Sequence, residues 1–255
     1  MELSVTQVEA TSILPLRELF RHEAGCQIIH DSFARRGFSH AYHIHAGDRL
    51  AGYGLVAHRH YPDTLHEFFL LPEFQFYTAA AFHTLLRTSG AARIRSQSNL
   101  PVLTALLYQC CEGVTPEEFL FAAGGFPDLK NRGGELVLVT QEVRDALQEP
   151  RPDPGEWCVR RGDLAVAVGG VLHHYNPPFG DVYVRVHEAF RRRGYGSFLV
   201  QELRRIAYES GHIPAARCNP DNLASQKTLV RAGFRVCGRM LEGAVSAARL
   251  RNSGG

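Results

Sequence analysis

The chain has 255 residues, 45% of them hydrophobic and 21% charged, the balance of a globular protein with a substantial core. A formal net charge of +2 is too small to point to nucleic acid, and no apolar run is long enough to span a bilayer. Residues 1–9 lack the basic and apolar regions of a signal peptide, so a cytoplasmic protein is expected.

In chain order, histidine pairs come first. His43 and His45, and then His58 and His60, sit two apart in strand-like stretches, so each pair shares a face. Such a pair could begin a strand-borne metal site or a metal hydrolase. No third ligand follows at a fixed spacing, and a polar strand face or groove lining also accounts for the pattern. The six cysteines, at 26, 110, 111, 158, 218 and 237, form no C-x-x-C and no zinc spacing, so no metal is expected.

Residues 50–56 read as a strand, 65–74 as a strand ending in Pro-Glu-Phe, and 78–86 as a helix. A strand at Ala92-Arg93, a helix over 102–109 and a closing strand over 118–122 follow. Gly124-Gly125, Pro127 and Gly133-Gly134 mark a join, with strands over 135–139 and 155–159 after it and a polar loop over 150–155 between them. The pattern then repeats. Residues 164–171 parallel 50–56, and His174-Tyr175-Asn176-Pro177 parallels His60-Tyr61-Pro62. The stretch 182–190, ending Glu-Ala-Phe, parallels 65–74, and Ala216-Arg217 before Asn222-Leu223 parallels Ala92-Arg93 before Asn99-Leu100. This order predicts a tandem duplication.

The second copy carries a feature that the first lacks. A strand over 181–186 runs into Arg191-Arg192-Arg193-Gly194-Tyr195-Gly196-Ser197, which opens a helix with Phe198, Leu199, Leu203, Ile206 and Ala207 on one face. A helix N-terminus leaves N–H groups unpaired and favours negative charge. The two glycines let a ligand approach the backbone, and the arginines add charge, so the turn is expected to hold a phosphate or pyrophosphate. In the first copy the corresponding stretch is Gln75-Phe76-Tyr77-Thr78-Ala79-Ala80, with no arginine and no glycine. Downstream, 215–219 reads as a strand, and 223–232 as a helix with Asp221 or Asn222 as its N-cap and Gly233 as its stop. A strand then starts at Phe234.

Arg191-x-x-Gly194-x-Gly196, followed by Asn222-x-x-Ser225 and Ala232-Gly233-Phe234, resembles the GNAT superfamily of acetyl-CoA-dependent N-acyltransferases, over roughly 156–240. The resemblance implies an α/β (α+β) protein, a tandem GNAT-like fold with a mixed central β-sheet flanked by helices. With the repeat, it divides the chain into a degenerate first half over 1–125, with a structural or acceptor-pocket role, and an acyl-CoA-binding half over 133–245; the polar and glycine residues 251–255 are expected to be a frayed tail. In that arrangement Val184 and Val186 present backbone groups to the pantetheine arm. Arg191, Arg192, Arg193, Gly194, Tyr195, Gly196 and Ser197 hold the pyrophosphate, and Asn222 and Ser225 touch the cofactor from the next helix. The implied reaction is acetyl (acyl) transfer from acetyl-CoA to a small-molecule or peptide amine, by a monomer or homodimer needing no nucleic acid, membrane or metal.

The acid–base groups are not fixed by the sequence. The resemblance implies a glutamate on the strand entering the loop, but one face of that strand carries Val182, Val184 and Val186, and the other carries Asp181, Tyr183 and Arg185. It implies a tyrosine four residues before Gly233, where this chain has Leu229. His173, His174 and Tyr175 at a strand end, Asn219, and Glu67 of the first half are the candidates left. A non-catalytic acyl-CoA-binding module is the alternative, and a nucleotide- or nucleic-acid-binding protein using Arg191 to Arg193 is a further one.

Overall fold

The structure, a computed structural model, describes residues 2–130, 133–146, 156–173 and 177–252. In chain order the first copy supplies β1 (Leu3–Val8), α1 (Leu14–Ala24), α2 (Asp31–Arg35), β2 (Ser39–Ala46), β3 (Arg49–Ala57), β4 (Thr64–Leu70), α3 (Thr78–Ser89), β5 (Arg93–Gln97), α4 (Pro101–Cys110) and β6 (Cys111–Ala123). The second supplies β7 (Glu135–Leu138), α5 (Gln141–Ala146), β8 (Trp157–Arg161), β9 (Leu164–Leu172), β10 (Phe179–Val186), α6 (Tyr195–Glu209), β11 (Ile213–Cys218), α7 (Leu223–Arg231), β12 (Phe234–Val245) and α8 (Ala247–Asn252). The expected repeat is therefore present element by element, from β2 to β6 and again from β8 to β12.

By packing, the chain forms two units, Met1–Glu118 with Gly238–Gly255, and Phe119–Cys237. The halves expected from the sequence, 1–125 and 133–245, differ from these because the closing strands change unit midway. β6 starts in the first unit, but Phe119–Ala122 pair antiparallel with β11 in the second. β12 starts in the second unit, but Met240–Ala244 pair antiparallel with β5 in the first. Of the expected tail, Arg251 and Asn252 finish α8, and 253–255 lie outside the described residues.

The first unit has a mixed sheet, antiparallel from β1 through β4, with one parallel pair between β4 and β5. One face packs Ile44, Leu65 and Ile94 against Phe82 and Leu85 of α3 and Leu107 of α4. The other packs Tyr53, Leu55 and Phe69 against Leu16 and Phe20 of α1 and Ala34 of α2. Complete burial of one such side chain contributes about 1.5–3 kcal/mol.

The second unit has the parallel pair β10–β11, with β9, β8 and β7 added antiparallel in turn. Leu199, Leu203 and Ala207 of α6 and Leu229 of α7 pack on Val166, Val182, Ala216 and Phe121. The α6 face is the one its apolar spacing predicts, including Phe198 at 9% exposure. Among the described residues no helix is long and apolar enough to cross a membrane.

Candidate functional site

The second unit's two parallel strands part company. β10 pairs with β9 from Asp181 to Val186, but with β11 only from Phe179 to Asp181. The N–H of His187 donates to Val166 O on β9 at 2.9 Å. Backbone groups alternate sides along a strand, so those of Val182, Val184 and Val186 point toward β11, into the gap. Their side chains pack on the core beneath α6. Asp181 takes the opposite face, where it accepts from Arg217 Nε at 3.3 Å.

At the mouth of this gap the chain turns into α6. His187 Nδ1 accepts from the Ala189 N–H at 3.2 Å, starting a 3-10 turn over Glu188–Phe190. Arg192 (φ +60°) and Gly194 (φ +91°) are both left-handed. Gly194 is the N-cap of α6, and a left-handed cap favours glycine because a Cβ there would meet the backbone. The first N–H groups of α6 have no partner within the helix and face the turn. Arg191, Arg192 and Arg193 are exposed around it, with Arg193 over the Phe190 ring at 5.3 Å and Arg191 3.9 Å from Glu188.

Two residues of this turn act differently from the sequence-based reasoning. A Cβ on Gly196 would come 3.0 Å from Val186 Cγ2 and 3.3 Å from Thr228 Cγ2. That glycine lets α6 sit close against β10 and α7, so packing by itself requires it. Tyr195 is 2% exposed, and its hydroxyl accepts from Arg161 Nη1 at 3.3 Å. Ser197 is also buried. Both can offer backbone groups to a ligand at the turn.

Asn222 is the N-cap of α7; its Oδ1 accepts from the Ser225 N–H at 3.0 Å. Ser225 and Thr228 follow on the same helical face, three residues apart, with Thr228 beside Gly196. Asn219 turns the chain into that cap, its Oδ1 accepting from the Asp221 N–H at 2.8 Å and its carbonyl from the Asn222 N–H at 3.0 Å. Leu229 fills core space at 3% exposure.

His174 and Tyr175 lie outside the described residues. His173 packs against His212 with ring centroids 4.2 Å apart and the rings tilted by 46°, beside Gly180 at the start of β10. Burial, and then His212, hold its imidazole below the ordinary range. The six-residue rise from Gly180 to Val186 separates it from the turn by about 20 Å, so the structure does not bring it to the site. Glu67 is fully buried and both its oxygens are taken, by Arg17 and by the Tyr53 hydroxyl. Its carboxylate is thus engaged inside the first unit's core.

The first unit repeats the parting of strands, since β4 pairs with β5 only at Thr64 and Leu65. Its turn is a 3-10 helix over Pro72–Tyr77, and Thr78 Oγ1 donates to Gln75 O at 2.6 Å. Gln97 on β5 donates to Gln27 O and accepts from the Ile29 N–H, both at 2.6 Å, drawing the α1–α2 connection across. What is left there is a cavity of about 10 Å3 lined by Ile28, His30, His66, Arg95 and Gln97, room for one water.

Only the first histidine pair lies on a strand, His43 and His45 on β2; His58 and His60 follow the end of β3 in a bend, where His60 is left-handed, so they do not share a strand face. His43 Nε2 lies 3.3 Å from Ser12 Oγ, and His40 stacks on His58 at 4.5 Å. Among the described residues no group of three or more His, Cys, Asp or Glu could hold a metal ion. Burial pushes the Cys110 thiol up to about 11 and the Cys111 thiol up to about 12. Sequence reasoning missed two buried arginines, Arg17 and Arg204, each at 0% exposure. Their helical spacing places them on the apolar faces of α1 and α6, which was the available signal.

Comparison with known proteins agrees with this geometry. The profile of the acetyltransferase (GNAT) family matches residues 130–234. An acetyltransferase from the GNAT family of Colwellia psychrerythraea superposes with a TM-score of 0.72 at 14% identity, over 95% of this chain and 100% of that one. A tandem GNAT protein from the clavulanic acid biosynthesis pathway gives 0.55 at 13%, over 96% and 99%. A GCN5-related N-acetyltransferase from Sphaerobacter thermophilus gives 0.52 at 15%, over 95% of both chains. No curated protein sequence matches the chain. Residues 130–234 thus match the acetyltransferase (GNAT) family profile, and the chain has the tandem GNAT fold.

Proposed function

We propose that the second unit binds acetyl-CoA or a related acyl-CoA and transfers the acyl group to an amine. The observation that supports this best is the parting of β10 from β11 after Asp181, beneath an arginine-flanked helix N-terminus. The backbone edge at Val184 and Val186, unpaired with β11 and met among the described residues only by a long bond from Arg191 Nε to Val186 O at 3.5 Å, suits an amide-bearing pantetheine arm, which it would bind as a strand binds its neighbour. The helix N-terminus, with Arg191, Arg192 and Arg193 around it, suits the pyrophosphate. A backbone N–H of the β10 edge would polarise the thioester carbonyl, and Asn222 and Ser225 would meet the cofactor from α7.

The acceptor must attack as a neutral amine, and a lysine-like amine has a pKa of about 10. Val182, Val184, Val186 and Leu229 offer no base at their own positions, which fits proton loss to water or through the amine's own equilibrium. Holding the two reactants together can still supply about 7 kcal/mol or more of the barrier. The first unit's closed gap fits a copy that binds no coenzyme A. The reading is of a cytoplasmic enzyme, monomer or homodimer, acting on a small-molecule or peptide amine without metal, membrane or nucleic acid.

Calorimetric titration of acetyl-CoA into the wild type and Gly194→Trp tests this. Micromolar affinity, roughly −8 kcal/mol, that is lost in the folded variant is the expected result. No binding to folded wild-type protein sinks the reading. The absence of a tyrosine at Leu229 favours a second reading, a non-catalytic acyl-CoA-binding module. Release of free thiol in the presence of amines would exclude it.

A further inference from the structure

Arg204 lies in the middle of α6, the helix whose N-terminus forms the turn, and none of its surface is exposed. No carboxylate meets it among the described residues. Its Nη1 donates to Ala232 O at 2.5 Å and to Gly125 O at 3.0 Å, and its Nη2 donates to Gly124 O at 2.8 Å. The guanidinium lies 4.5 Å from the Phe126 ring and 5.1 Å from the Phe234 ring. Burial holds its pKa below the ordinary arginine value.

These partners come from two separate stretches of the second unit. Ala232 caps the C-terminus of α7, where the helix dipole favours a cation. Phe234 opens the strand after it. Gly124, Gly125 and Phe126 follow directly on the end of β6, the strand that arrives from the first copy, and the Gly124 N–H donates to Gly233 O at 2.9 Å. A planar guanidinium can satisfy several fixed carbonyls at once and offer both faces to aromatic rings. An ammonium cannot do both.

We propose that Arg204 is a positioning residue for the cofactor: it locks α6 to the C-terminus of α7 and to the end of the exchanged strand β6, and so sets the spacing between the helix N-termini at Gly194 and Asn222. This rests on the acyl-CoA reading above. The two helix starts converge on one ligand, and their separation is fixed at the contact between Gly196 and Thr228. Arg204 is the tie further along the same helix. The spacing matters because a hydrogen bond weakens steeply over a few tenths of an ångström.

The test titrates acetyl-CoA into wild type, Arg204→Lys and Phe126→Leu, with thermal unfolding of each and steady-state rates for any amine acceptor found. Phe126 is 61% exposed, so its substitution removes one stacking face without opening the core. Expected are an acetyl-CoA affinity lower by about tenfold for Arg204→Lys and by two- to threefold for Phe126→Leu, with KM for acetyl-CoA raised and kcat within twofold. A merely structural contact would lower the unfolding temperature and leave Kd and KM alone, and that result overturns the proposal. If Arg204→Lys does not fold, Phe126→Leu decides: unchanged affinity overturns it and weakened affinity supports it. Wild-type protein that binds no acetyl-CoA defeats the acyl-CoA reading itself, a different outcome from equal binding by wild type and variants.

Discussion

Arg17 and Glu67 form a two-point ion pair inside the first unit, Nε to Oε2 at 2.9 Å and Nη2 to Oε1 at 2.7 Å, with neither side chain exposed. Arg17 also reaches Asp31 Oδ1 at 2.7 Å, and Asp31 Oδ2 accepts from Arg35 at 2.7 Å. Burial, the largest single influence, would lower the pKa of Arg17, but Glu67, Tyr53 and Asp31 together outweigh it and the net direction is upward. Removing one partner strands a buried charge. Glu67→Ala is expected to lose about 3–5 kcal/mol of stability, read as a shift in the urea midpoint. A loss below about 1 kcal/mol would mean that water replaces the carboxylate.

His66 gives a pH dependence. Its imidazole is held down to about 3 by burial, then by Arg17 and Arg95, while Ser39 Oγ lies 2.8 Å from its Nε2. The folded pKa lies below the unfolded value of about 6.5, so the unfolded chain takes the proton first as pH falls. Stability is full above pH ~6.5 and declines below it, by about 2 kcal/mol per histidine at pH 5. Burial lifts the Asp31 carboxyl and gives the opposite slope, so the difference from His66→Gln isolates the effect. Parallel unfolding curves for wild type and variant between pH 7 and 5 would show that His66 accepts its proton inside the fold.

The turn's arginines are exposed, so each is worth only about 0.5–1 kcal/mol to an anion at moderate salt. Arg191→Ala with Arg193→Ala is expected to weaken acetyl-CoA binding about tenfold and to flatten its salt dependence. Equal salt dependence in wild type and double variant would move the phosphates off this turn.

Exchange of the closing strands predicts how fragments behave. A fragment of residues 133–245 lacks the stretch Phe119–Ala122 that pairs with β11, and with it Phe121, a core residue 1% exposed. It is expected to be unfolded or aggregated. A fragment of 119–237 keeps the second unit whole and is expected to show a cooperative thermal transition. Cooperative unfolding of 133–245 with native-like amide dispersion would count against any need for the borrowed strand.

Much of the second unit is legible in the chain, because its signals are local. Alternation marks β10, glycines and arginines mark the turn, 3.6-residue periodicity marks α6, and an asparagine cap marks α7. The valine alternation also correctly separates Asp181, Tyr183 and Arg185 from the core face. The reason for Gly196 was not legible, because its neighbours Val186 and Thr228 come from other elements. Nor was the far placement of His173, since strand direction decides it. The units' true boundaries were hidden for the same reason. β6 and β12 read as ordinary closing strands, and only their partners β11 and β5 show that each ends in the other unit. The helices of the first unit's other face, α1 and α2, lie in a stretch with no motif, and Glu67 finds Arg17 fifty residues away.

The crossing of β6 and β12 also bears on how this gene product can change. In a duplication whose copies each close their own sheet, the idle copy can be deleted or cut away without harm to its twin. Here deletion of the first copy removes a strand from the second, and loss of the last strand unpairs β5 in the first. A cut that sheds the first copy must therefore fall before Phe119, so that the borrowed strand stays with its partner β11.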